Sequence, residues 1–137
     1  MLHKASMDSV MMFSMKLSDD KEIAPGFRLS EFQSRDGLDQ ILLHPLLVTG
    51  LVALREWAGG SVKINSAFRS VWHNNEVGGA AKSKHLLGMA ADVVVSTKTP
   101  KEVAQWAEAM EFGGVGWYTQ FTHIDVFGHG RRWDNRK

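Results

Sequence analysis

The sequence predicts an α+β fold, a small single domain in which a mostly antiparallel sheet is flanked by helices. Three observations lead to it. Short apolar and β-branched runs, above all residues 90–95, stand between turn residues, the pattern of half-buried or buried strands. Two longer segments, opening at Pro45 and at Pro100, carry helical spacing and N-terminal signals. Strands and helices are interspersed along 137 residues, which suits one domain with its own core and leaves little room for a second.

Taken in order, residues 1–24 show weak periodicity and are read as an irregular N-terminal lead-in, with the domain occupying 25–137. Pro25-Gly26 is a turn, followed by Leu29-Ser30-Glu31-Phe32 and the turn-like Arg35-Asp36-Gly37. Pro45 suits the first turn of a helix, where its missing N–H is not needed. Leu47, Leu51, Leu54 and Ala58 then recur at helical spacing until Gly59-Gly60. A short strand is expected over 61–65 and a short helix over 71–77, ending at Gly78-Gly79. Ala90 to Val95 reads as a buried strand. Thr99-Pro100-Lys101-Glu102 supplies an N-cap, an N1 proline and a capping-box glutamate for a helix to about Glu111. Gly113-Gly114-Val115-Gly116 turns into a last strand pair ending at Val126.

Composition narrows the chemistry. There is no cysteine, so thiolate metal sites, disulfides and thiol nucleophiles are excluded, and any metal must sit on imidazole and carboxylate. The formal charge of +1 gives no general attraction to nucleic acid. The basic stretch 131–137 reads as a solvated end. Lys4 and the apolar Val10-Met11-Met12-Phe13 imitate a signal peptide only loosely, because Asp8 interrupts them. The expectation is a chain without a signal peptide, cytoplasmic at synthesis, not inserted in a membrane, and monomeric.

Two segments carry the chemistry. In Ser83-Lys84-His85-Leu86-Leu87-Gly88-Met89-Ala90-Ala91-Asp92, Gly88 permits a sharp turn between His85 and the strand that holds Asp92. A carboxylate inside an apolar strand is costly unless a cation or strong donors meet it. A metal ion meets that need, and so does an arginine or a solvent-facing strand end. In Phe121-Thr122-His123-Ile124-Asp125-Val126, strand alternation sends His123 and Asp125 to one side and Ile124 and Val126 to the other. His85, Asp92 and His123 together offer two imidazoles and a carboxylate, a zinc donor set that leaves a fourth position open. The zinc site is therefore expected on the sheet.

Ser83-x-His85-x-x-Gly88-x-Ala90-x-Asp92 followed by His123-x-Asp125 resembles the M15 zinc peptidases, in particular the short M15A type. Ile64-Asn65-Ser66-Ala67-Phe68-Arg69-Ser70, His73-Asn74, Val77-Gly78-Gly79-Ala80 and Gly113-Gly114-Val115-Gly116-x-Tyr118 extend the resemblance over roughly residues 27–133. That family comprises D-alanyl-D-alanine carboxypeptidases and peptidoglycan endopeptidases, many of them phage endolysins. The resemblance implies zinc on His85, Asp92 and His123, Arg69 at a substrate carboxylate or carbonyl, and Ser83 at the substrate backbone or beside the ligands. It implies a peptidoglycan peptide, with D-alanine at the cleaved bond, as substrate. Action at the bacterial cell wall after release, or in a virion, follows. Many M15 members carry an acidic base three residues before the last histidine ligand, where this chain has Gln120. Asp125 then stands either as the catalytic base or as an acceptor orienting a histidine. The departure also keeps open a non-catalytic zinc-containing module that binds cell-wall peptides or a protein, or is structural in a phage particle.

Overall fold

In the computed structural model, which describes residues 5–137, a five-stranded sheet carries its two longer helices on one face and the candidate site on the other. Lys4 and the rest of the first four residues of the lead-in lie outside the described part. The segment read as irregular contains regular structure from Met7 onward. Strand β1 (Met11–Ser14) pairs antiparallel with β4 (Gln40–Leu43), and a short helical turn, α1 (Met15–Ser18), follows it. This pairing was invisible in the sequence because each partner is only four residues long and they lie far apart. Pro25-Gly26 joins β2 (Glu22–Ala24) to β3 (Phe27–Arg28) in a small hairpin.

Helix α2 (Pro45–Ala58) starts as expected, with Pro45 at the first position and His44 as N-cap, its Nδ1 accepting from the Leu46 N–H at 3.0 Å. Gly59 ends it in the left-handed region. Strand β5 (Val62–Ser66) leads through the 67–70 loop to α3 (Val71–Glu76). A 3₁₀ turn at Lys84–Leu87 then feeds β6 (Ala90–Val95). Helix α4 (Pro100–Ala109) has both halves of its capping box, Thr99 and Glu102 bonding each other's backbone N–H.

The main sheet runs β5-β6-β8-β7-β9, with β7 at Gly114–Trp117, β8 at Thr122–Asp125 and β9 at Arg131–Asp134. All its pairs are antiparallel except β7 with β9. Strand β9 corrects the reading of 131–137 as a solvated end for residues 131–134, while 135–137 are exposed. Arg131 and Trp133 alternate with Arg132 and Asp134, and only the alignment with β7 gives the first two a face to occupy.

Alternation divides the two faces. Ala91, Val93 and Val95 of β6, Val115 of β7 and Ile124 of β8 enter the hydrophobic core with Leu47, Leu51 and Leu54 of α2 and Val103, Ala104 and Ala107 of α4. Asp92, His123 and Asp125 therefore emerge on the opposite face. They are nonetheless buried, because His85 of the 3₁₀ turn meets Asp92, Trp133 packs on the His123 ring and Arg131 bonds Asp125.

Gly88 fixes the 3₁₀ turn. It closes the 3₁₀ segment with φ of +71°, and its carbonyl accepts from the His44 N–H at 2.8 Å. A β-carbon there would overlap the Leu42 backbone on β4. Gly88→Ala is expected to destabilise the protein by about 2 kcal/mol or more, from left-handed strain and the backbone clash combined. Urea unfolding of both proteins measures it, and an unchanged midpoint would show that the turn is not clamped between β4 and β6.

Candidate metal centre

Strands β6 and β8 pair so that Asp92 lies directly across from His123. The 3₁₀ turn brings His85 in from above. One ligating atom from each of His85, Asp92 and His123 lies within 4.8 Å of the other two. His85 Nε2 is 3.2 Å from Asp92 Oδ1, and His123 Nδ1 is 3.0 Å from the same oxygen. The rings stand nearly edge to face, with centroids 5.1 Å apart.

The outward nitrogens fix the tautomers. His85 Nδ1 lies 2.7 Å from the Ala67 carbonyl oxygen, which can only accept, so that nitrogen carries a proton. His123 Nε2 donates to Asp125 Oδ2 at 2.8 Å. In the neutral rings, both inward nitrogens are bare lone pairs turned toward a carboxylate oxygen. Three acceptors converging in a buried place need a cation among them. Imidazole, imidazole and carboxylate, with the outer N–H groups bonded to a carbonyl and a carboxylate, are the donor set and the surrounding support of zinc sites.

Charge follows the same logic. When the inward nitrogens carry protons in place of a metal, burial still works against the Asp92 carboxylate, but hydrogen bonds from His123 and His85 outweigh it and hold its pKa below the usual range. Burial likewise opposes protonated His123, yet its bonds to Asp125 and Asp92 prevail and its pKa is raised. Asp125 is fully buried. Desolvation is overcome there by His123 and Arg131, so it too stays ionised.

Asp125 sits behind His123 and does not line the groove above the centre. Its oxygens accept from His123 Nε2, from the Phe127 N–H at 3.1 Å and from Arg131 Nη1 at 2.7 Å. Asp125 thus contacts the far side of the His123 ring rather than the groove. Arg69 reaches the groove, but three of its N–H groups have partners: Ser66 Oγ at 3.1 Å, Asn74 Oδ1 at 3.2 Å and Asp92 Oδ2 at 3.3 Å. It thus holds the second oxygen of Asp92 and keeps two N–H groups for a ligand. Ser83 also lines the groove, and its hydroxyl caps the 3₁₀ turn by accepting from the His85 N–H at 3.2 Å. Gln120 is exposed on the turn before β8.

Several further residues complete the site. Asn74, buried on α3, anchors Arg69 and donates to the Ala80 carbonyl. Arg131 and Trp133 arrive from β9. The Trp133 indole lies 5.0 Å from the His123 ring and donates to the Tyr118 hydroxyl at 3.0 Å. Trp133 lines the groove, whereas Trp72 is exposed on α3 and Trp117 donates to Glu108. The groove is about 620 Å³ and open to solvent.

A sheet with its two longer helices on one face and a His-Asp-His cluster beneath a groove on the other defines an α+β domain with a candidate metal centre. The comparisons give it a family: the Peptidase M15 profile matches residues 22–125, and the chain belongs to that family. It is 37% identical over 79 residues to the peptidoglycan L,D-endopeptidase MepK of Escherichia coli, which is 53% of this chain and 43% of that one. It is 36% identical over 89 residues to the zinc D-Ala-D-Ala carboxypeptidase of Streptomyces albus G, 61% of this chain and 34% of the other. The chain thus matches less than half the length of these curated relatives. Among the described residues, no helix is long and apolar enough to cross a membrane.

A raised His123 pKa in the metal-free protein has a direct consequence. A metal ion must displace the proton between His123 Nδ1 and Asp92, so zinc binding is expected to release about one proton and to weaken about tenfold per pH unit below that pKa. Titration calorimetry in buffers of different ionisation enthalpy measures the release. A buffer-independent heat would rule out a protonated His123 in the free centre.

Proposed function

We propose that the chain is a zinc-dependent peptidase that hydrolyses a peptide bond in the peptide part of peptidoglycan, a D-alanine-containing stem or cross-link, at the bacterial cell wall. One observation carries the reading. Three inward acceptor atoms, with their outer hydrogen bonds already made, form the floor of an open groove rather than a closed cage. A structural zinc site would be closed by a fourth residue, whereas a catalytic one keeps a position for substrate. The family and the relatives named for peptidoglycan peptide bonds support the same conclusion.

In this reading His85 Nε2, Asp92 and His123 Nδ1 hold the metal. The chemistry supplied by zinc held there is Lewis acidity toward water and a peptide carbonyl. Asp125 keeps the Nε2 proton of His123 and so presents the Nδ1 lone pair inward. Arg69 holds Asp92 in place and turns its two remaining N–H groups to a substrate carbonyl or terminal carboxylate. Ser83 shapes the turn beneath the substrate backbone. Asp125 is therefore assigned to positioning, not to proton abstraction.

A specific observation favours a second reading, a zinc-containing module that binds cell-wall peptides without cutting them. Asp92 is the only carboxylate among the residues lining the groove, and it is already a ligand. The position of the family's usual acidic base is held by Gln120, which takes no proton from water.

Turnover separates the two. Zinc-loaded protein incubated with purified peptidoglycan is expected to release new amino groups, with His85→Ala abolishing release. Asp125→Ala is expected to lower both zinc affinity and rate by about 10- to 100-fold, as loss of a ligand's outer partner does. Protein with stoichiometric zinc that releases nothing would overturn the hydrolase reading for this substrate and favour the binding module.

A further inference from the structure

The groove's charge is uneven. Arg69, Lys82, Lys84 and Arg131 line it, with Asp92 as the lone acid. Arg69 and Asp92 already satisfy each other in part. The cations on the β9 side are differently placed. Lys84 Nζ lies 4.0 Å from the centroid of the Phe127 ring and has no carboxylate partner among the described residues. The Arg131 guanidinium lies 5.6 Å from the same centroid.

Arg131 is also anchored from behind. Its Nη1 donates to Asp125 at 2.7 Å and to the Phe127 carbonyl at 3.1 Å. Its Nη2 and Nε have no partner among the described residues. Two cations seated on one aromatic ring at the edge of a groove, one of them with its free N–H groups held in place, form a preorganised anion contact. Across the sheet the order is β5, β6, β8, β7, β9. Arg69 follows β5 and Arg131 opens β9, so the two cationic positions flank the metal centre from opposite sides.

We propose that Lys84 and Arg131 form a second carboxylate subsite, so that this chain selects stem peptides carrying a free interior carboxylate next to the scissile bond, in addition to any group taken by Arg69. A γ-linked glutamate leaves such a carboxylate free, as does a diaminodicarboxylic acid, and amidation removes the charge while keeping the shape. The proposal rests on the peptidase reading for its substrate, though binding alone also reports it.

The test uses two synthetic stem peptides with the same free C-terminus, one with interior carboxylates free and the other with them amidated. Zinc-loaded wild type, Lys84→Gln and Lys84→Arg are compared for kcat/KM and, by calorimetry, for Kd. Wild type is expected to prefer the free acid by about tenfold or more, the worth of one charge-assisted hydrogen bond. Lys84→Gln should cut that preference to about threefold or less, and Lys84→Arg should keep it. A wild-type preference near one, or an unchanged preference in Lys84→Gln, overturns the subsite. Lys84-dependent discrimination in Kd with neither peptide cleaved supports the subsite while sinking the peptidase reading. Cleavage of both peptides at equal rates sinks the subsite alone.

Discussion

Two imidazole lone pairs and a carboxylate oxygen are held within 4.8 Å of one another where little water reaches, and the surrounding structure offsets the cost of that arrangement. Asp92 gives its second oxygen to Arg69, and Arg69 is held by Ser66 and Asn74. His123 is backed by Asp125, which Arg131 neutralises in turn. Charges of alternating sign therefore run across the strands from the end of β5 to the start of β9, with the metal position in the middle. Removing one interior member leaves its neighbours as buried, unpaired charges, which costs far more than the pair itself contributes.

Strand register makes the row possible. Gly114 stands between Asp125 on β8 and Arg131 on β9, and Gly116 between His123 and Trp133. A β-carbon at Gly114 would overlap the Asp125 carboxylate, and one at Gly116 would overlap the Trp133 indole. Strand β7 thus presents bare backbone on the site face, while Val115 on its other face is fully buried in the core. Residues of β8 and β9, two strands apart, meet over it. A glycine inside a strand normally weakens it, and close approach of other groups is the usual compensation.

This explains what was legible in the sequence. His85, Asp92 and His123 could be named because each carries a local anomaly: a histidine before a turn glycine, a carboxylate inside an apolar strand, a polar pair alternating with core residues. Helices α2 and α4 announced themselves through prolines and caps. The role of Asp125 stayed undecided because its partners, Arg131 and the space above Gly114, come from separate strands. The same cause hid β9, since a basic terminal stretch looks solvated until a parallel partner gives it a face. Strand β1 was missed because its pairing with β4 is short and distant. The resemblance assigned Arg69 to a substrate carboxylate or carbonyl, but only the fold reveals that Asp92, Ser66 and Asn74 occupy three of its N–H groups.

A division of labour between signs of charge follows from the same geometry. The carboxylates near the centre are turned inward: Asp92 to the ligand position and Asp125 behind His123. The cations are the groups left facing the groove, where Lys82, Lys84, Arg131 and part of Arg69 stand beside Trp133 and Phe121. A bound divalent cation adds to that field. Concave walls of one sign focus potential and draw in ligands of the opposite sign, so the groove presents a positive field before any specific contact forms. The neutral side chain at Gln120 fits this arrangement. An acidic side chain at position 120, exposed and in sequence between the groove-lining Tyr118 and Phe121, would carry the opposite sign to the cations that Lys84 and Arg131 present.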